Sequence, residues 1–292
     1  MANYAIARHY PEAAEAPNPF RALLDGVIAR QADVVARWLL LGFIHGVMNT
    51  DNCSIAGETI DYGPCAFLDA YDPAAVFSSI DEGGRYAYGN QPRIAQWNLA
   101  RLAETLLPLL GENEESSLAS AQEALGAFGP RFEVAYFGGL RRKIGLFIDG
   151  EGDDILARDL LRLMAEQGAD FTLTFRALSA LAAGEGEAAA RALFADPDAF
   201  GAWAARWRER LAREPGTADA HCAAMQAVNP AFIPRNHQVQ AVIEAAIDRK
   251  DFAPFADLVA VLSRPYEDQP GRERYTLPPR PEERVLQTFC GT

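Results

Sequence analysis

The chain has 292 residues, of which 49% are hydrophobic, enough to bury one large core or two modest ones. Its formal net charge of −13 excludes the sequence-independent grip on nucleic acid or an anionic membrane that needs clustered Lys and Arg, so neither is expected as a partner. No run reaches the ~20 apolar residues of a membrane span, and the start of the chain lacks a basic segment followed by an apolar one. The four cysteines, Cys53, Cys65, Cys222 and Cys290, form no CxxC pair and have no histidines at zinc spacing. A reducing cytoplasm is the expected location.

Apolar residues at Leu24, Val27, Ile28, Val35, Trp38 and Leu39 recur at helical spacing, so Pro19 to about Leu41 is predicted to be an amphipathic helix started by Pro19. From Cys53 to Asp61, Ile55, Thr59 and Ile60 favour strand and Gly57 favours a turn, which predicts a small β-hairpin. Asp69 to Pro92, rich in Gly, Pro, Asp and Ser, reads as a long irregular segment. Helical periodicity resumes at Ile94, Trp97, Leu102 and Leu106. The acidic stretch from Gly111 to Ser116 reads as a solvated linker, and the Ala-, Leu- and Arg-rich chain beyond it as helices broken at Gly150, Gly184 and Pro197. Phe200, Trp203 and Trp207 fall at helical spacing as core positions. The prolines from Pro265 to Pro281 predict an extended tail lying across the surface. The expected division is residues 1–112 and 113–292.

The chemistry is concentrated in His45-Gly46-Val47-Met48-Asn49-Thr50-Asp51-Asn52, followed by Asp61-Tyr62-Gly63. A kinase catalytic loop runs His-Arg-Asp, four residues, Asn, with a later Asp-Phe-Gly whose aspartate holds magnesium. His45 and Asn52 keep that spacing, but the catalytic aspartate's position is Val47, which cannot accept a proton. Asn52 and Asp61 offer the hard oxygens magnesium prefers, and Asp51 is a candidate base. The same strings are also ordinary turn chemistry, with side chains bonding their own backbone. His45 reads as a brace for the loop, Cys53 as a packed apolar residue, and Lys143 and Lys250, the two lysines of the chain, as surface residues.

The run His45 to Pro64, with Arg85-Tyr86-Ala87-Tyr88-Gly89-Asn90-Gln91-Pro92 and Trp97-Asn98-Leu99-Ala100-Arg101-Leu102, resembles the selenoprotein O family. Further likeness lies at Asp170 to Thr172 with Phe175-Arg176, at Asn229 to His237, and at Arg264-Pro265-Tyr266. The resemblance implies a fold that is mainly α with a small hairpin, a protein-kinase-like C-terminal lobe plus a helical extension, with the N-terminal lobe absent. It implies a protein adenylyltransferase that transfers AMP from ATP to Ser, Thr or Tyr hydroxyls, with Asp51 as catalytic base, Asn52 and Asp61 on Mg2+ (or Mn2+), and Asp61 also near the nucleotide. Protein substrates and a separate N-terminal half are the implied partners.

Family members carry phosphate-contacting glycines and arginines and a clamp lysine in an N-terminal half that this chain is expected to lack. Cys290 stands where the family places a redox-linked selenocysteine or cysteine, whereas Phe77 occupies the place of a second loop cysteine found in some relatives. The competing readings are a kinase of small molecules or proteins, against which Val47 speaks, and a noncatalytic helical module.

Overall fold

The computed structural model describes residues 1–289, so the expectation about Cys290 lies outside the described residues. The protein is mainly helical, with one two-stranded antiparallel sheet among the described residues. After α1 (Ala2–His9), helix α2 spans Pro19–Leu41. Asn18 caps its start by accepting from Phe20 and Arg21 N–H groups at 3.0 Å, Pro19 fits the first turn, and Gly42 in the left-handed region ends it. Leu24, Ile28 and Val35, on one face, are fully buried.

Helix α2 is the spine that aims the chain into the site. Its apolar face packs against α3 (Gln91–Leu110), α4 (Glu114–Gly126) and α5 (Phe128–Lys143), where Gly139 lets Leu40 approach the backbone. A second apolar cluster joins α5 to α6 (Asp153–Gln167), α7 (Phe171–Ala182), α8 (Glu187–Arg191), α9 (Pro197–Leu211) and α10 (Ala218–Gln226). Phe200, Trp203 and Trp207 are core there, as expected, and the indole N–H groups of the two tryptophans donate to Leu156 and Ile144 carbonyls. Helices α11 (Asn236–Arg249) and α12 (Ala253–Leu262) pair beside a smaller cluster around Phe232 and Tyr275.

Four expectations are corrected. The sheet is not a hairpin over Cys53 to Asp61. It pairs β1 (Phe43–Ile44) with β2 (Ala66–Phe67), while the 53–61 stretch closes on a single Cys53–Thr59 bridge. The linker is shorter than expected, because Asn113 and Ser116 form a reciprocal cap that draws Glu114 to Ser116 into α4. Lys143 is 3% exposed rather than on the surface; its ammonium lies 4.2 Å from the centre of the Phe175 ring.

The tail expected to be extended from Pro265 instead runs through turns and the 3-10 segments Glu273–Tyr275 and Pro281–Glu283, and its end pairs with the irregular segment. Thr288 donates its N–H to Phe77 O at 2.7 Å and accepts from Ser79 N at 2.9 Å.

Candidate active site

Strands β1 and β2 bracket the candidate residues singled out from the sequence, so that 45–65 forms one excursion returning to its starting point. Gly46 makes the first turn with φ at +87°; a Cβ there would stand 2.7 Å from the Pro64 carbonyl oxygen. His45 is fully buried, and its Nε2 lies 2.9 Å from the Ile60 carbonyl oxygen, to which it donates. Val47, 6% exposed, accepts at its carbonyl from Asn52 Nδ2 at 3.1 Å. Val47 and His45, on either side of Gly46, therefore tie down Asn52 and the residue before Asp61.

The Asn52 bond uses its amide nitrogen and leaves the side-chain oxygen as the free donor atom. Asp61 is exposed and sits at φ +54°, a left-handed conformation costing an L-residue roughly 1 kcal/mol but entered more easily by Asp than by most. Asp51 is exposed in the middle of the 3-10 turn Thr50–Asn52. His45 carries the brace expected of it, and burial holds its ring below the usual imidazole pKa despite the charge of Asp61. Burial pushes the Cys53 thiol up to about 11, so that it packs rather than reacts.

Sequence reasoning assigned no role to three further residues that hold this excursion from behind. Gln91, fully buried at the start of α3, accepts from His45 N at 2.9 Å and donates to Phe43 O and Tyr88 O. Asn98 donates to Met48 O at 3.0 Å and to the Cys53 sulfur. Tyr86 donates to Asn49 Oδ1 at 2.7 Å. A signal existed, since Gln91 and Asn98 lie seven residues apart on the same face of α3 as Ile94, Ala95 and Leu99. Polar residues in an apolar stripe ask for buried partners.

The late strings meet below β2. Asn236 brackets its backbone, accepting from Phe67 N at 3.0 Å and donating to Phe67 O at 2.8 Å. Arg235, 1% exposed, reaches Asp69 at 2.7 Å and Asp170 at 2.6 Å. The chain leaving the site is thus fixed by a buried ion cluster.

By chemistry, the side-chain oxygens of Asn52 and Asp61 are of the type a magnesium ion takes. Among the described residues no three His, Cys, Asp or Glu side chains gather as a metal cage, and magnesium is ordinarily held by one or two protein oxygens together with substrate phosphates. Asn52 and Asp61 are of that kind.

The sequence model described as protein adenylyltransferase SelO matches residues 1–263. The chain belongs to the SelO family. That match contains the whole stretch described above, from His45 to Asn98. Among curated relatives, the protein nucleotidyltransferase YdiU of Rhodopseudomonas palustris strain BisB18 is 63% identical over 292 residues. Those of Methylorubrum populi and Bradyrhizobium diazoefficiens are 64% and 62% identical. Each alignment takes in 100% of this chain and 60% of the relative. The expectation of a C-terminal half is therefore not carried forward: alignment runs through the whole chain, which spans 60% of those relatives' length. No helix among the described residues is long and apolar enough to cross a membrane.

Proposed function

We propose that this chain carries the catalytic loop of a protein adenylyltransferase, in a kinase-like lobe, and moves AMP from ATP to a protein hydroxyl. One observation carries the reading. A buried valine, Val47, occupies the place of a kinase's proton acceptor, while Asn52 and Asp61, with their side-chain oxygens, lie within the same excursion, pinned by the Asn52–Val47 and His45–Ile60 bonds.

In this reading Asn52 Oδ1 and the Asp61 carboxylate hold Mg2+ or Mn2+, and Asp61 also lies near the nucleotide. A bound divalent ion neutralises charge that develops on the phosphate oxygens. Asp51, exposed beside Asn52, takes the proton of the incoming Ser, Thr or Tyr hydroxyl. The hydroxyl oxygen forms a bond to the α-phosphorus as the bond to pyrophosphate breaks. His45 and Val47 position these groups through backbone bonds and take no proton themselves. The YdiU relatives are named as protein nucleotidyltransferases, which supports a protein acceptor.

The test supplies Mg2+, a protein acceptor and ATP labelled on either the α- or γ-phosphate, with Asp61→Ala as control. The α-label should reach protein and be lost in the control. Transfer of γ-label alone would make the chain a kinase and overturn the reading.

A further inference from the structure

Helix α3 presents two faces to two tasks. Its buried face carries Gln91 and Asn98 to the catalytic excursion, and its exposed face carries Arg93, Trp97 and Arg101, each four residues from the next. Trp97 is 43% exposed, whereas Trp38, Trp203 and Trp207 are all buried. Two guanidinium groups lie against it: that of Arg85, arriving from the irregular segment, at 4.9 Å from the ring centre, and that of Arg101 at 5.1 Å. Arg101 pairs with Glu104 on the surface. Among the described residues neither Arg85 nor Arg93 makes an ion pair.

This patch is tied to the site. Tyr86, next to Arg85, donates to Asn49 Oδ1, two positions before Asp51. Arg101 and Thr50 share the wall of one cavity of about 260 Å³ between α2, α3 and the excursion. A local cluster of arginine around an exposed tryptophan, in a chain with a net charge of −13, has the composition of a recognition hot spot.

We propose that Arg85, Arg93, Trp97 and Arg101 form the docking surface for an acidic segment of the protein acceptor, flanking the hydroxyl presented to Asp51. Planar guanidinium groups pair with carboxylates in bidentate fashion, and the tryptophan face takes the apolar part of the same segment. Charge complementarity selects the occupant. A short acidic motif meets only this patch, whereas a long polyphosphate chain also meets the surrounding negative field. The inference rests on the proposed adenylyltransferase reading but is tested without ATP or metal.

The experiment measures fluorescence anisotropy of labelled nonapeptides, one with a single Tyr flanked by Glu and the other with Gln in place of Glu, titrated with this chain. A labelled single-stranded oligonucleotide of equal charge is the third probe. The Glu peptide should bind in a salt-sensitive way, the Gln peptide should not, and Arg85→Glu with Arg93→Glu should weaken binding about tenfold or more. Arg93→Gln alone, with circular dichroism checking the fold, should weaken it less. Equal binding of the two peptides, undiminished binding by the folded double variant, or tighter binding of the oligonucleotide through the same arginines would each overturn the proposal. Peptide binding without label transfer would sink the adenylyltransferase reading alone; label transfer without selective peptide binding would sink this inference alone.

Discussion

His45 Nε2 stands 2.9 Å from the carbonyl oxygen of Ile60, the residue before Asp61, and this bond joins the two halves of the 45–65 excursion. A carbonyl only accepts, so the ring is protonated on Nε2, while its buried Nδ1 has no partner. The folded state therefore favours neutral imidazole, in keeping with a pKa held below the usual 6.5, chiefly by burial. With the folded pKa depressed, the unfolded chain binds more protons between the two values, and stability falls as pH drops below 6.5. Urea unfolding at pH 5.0, 6.0 and 7.5 should show that fall. His45→Gln should flatten it, because an amide can still donate to Ile60 O without titrating.

Gln91 serves three backbone groups at once, His45 N, Phe43 O and Tyr88 O, without exposure to water. Gln91→Ala would strand them, and each buried group left unpaired costs about 1–3 kcal/mol. A total loss of at least about 3 kcal/mol is expected from denaturant titration. Asn98→Ala, which removes bonds to Met48 O and Cys53 Sγ, should cost about 1–2 kcal/mol. Both changes should also lower α-label transfer, Gln91→Ala by releasing the backbone at His45 and Asn98→Ala by releasing Met48 and Cys53 on either side of Asp51.

Arg235 is the sole cation reaching both Asp69 and Asp170 among the described residues, and burial lifts the Asp170 carboxyl above its usual range despite that cation. Removing one partner of a buried ion cluster leaves uncompensated charge, a loss of about 3–5 kcal/mol. Arg235→Met should show it. Adding Asp170→Asn to Arg235→Met should recover part of the loss, because the stranded carboxylate is then gone. A strictly additive double variant would mean that the two groups are energetically independent.

Helix α2 was legible from Pro19 to about Leu41 because its signals are local: Pro19 starts it and an apolar stripe sustains it, and the structure adds the Asn18 cap and the Gly42 stop. The order of His45, Asn52 and Asp61 was legible for the same reason, as spacing along one short run. The sheet was misread because its strands are two residues each and pair across more than twenty positions, Phe43 with Phe67; no local pattern reports such a partner. Likewise, the Thr288 crossing and the Arg235 cluster join segments far apart in sequence. Lys143 was misplaced because charge is normally a surface signal, and only the packed structure shows Phe171 and Phe175 enclosing its side chain.

That lysine yields the most discriminating stability test. Burial brings the Lys143 ammonium down from 10.5 to about 7, and the rings of Phe175 and Phe171, 4.2 and 5.4 Å away, compensate only part of the lost hydration. Below pH 7 the lysine is charged in both folded and unfolded chains, and the full cost of burying the charge is felt. Between about 7 and 10.5 the unfolded chain binds the extra proton, so stability rises with pH through that window. At about 1.4 kcal/mol per pKa unit the effect amounts to a few kcal/mol. Lys143→Met fills a similar volume without charge and should raise stability at pH 6.5 by on the order of 1–3 kcal/mol, net of the lost ring contacts. It should also abolish the rise between pH 7 and 9, measured by guanidinium unfolding. If the variant is less stable than the parent at pH 6.5, the ammonium has a partner that stabilises its charge, and the folded core depends on a cation at this position.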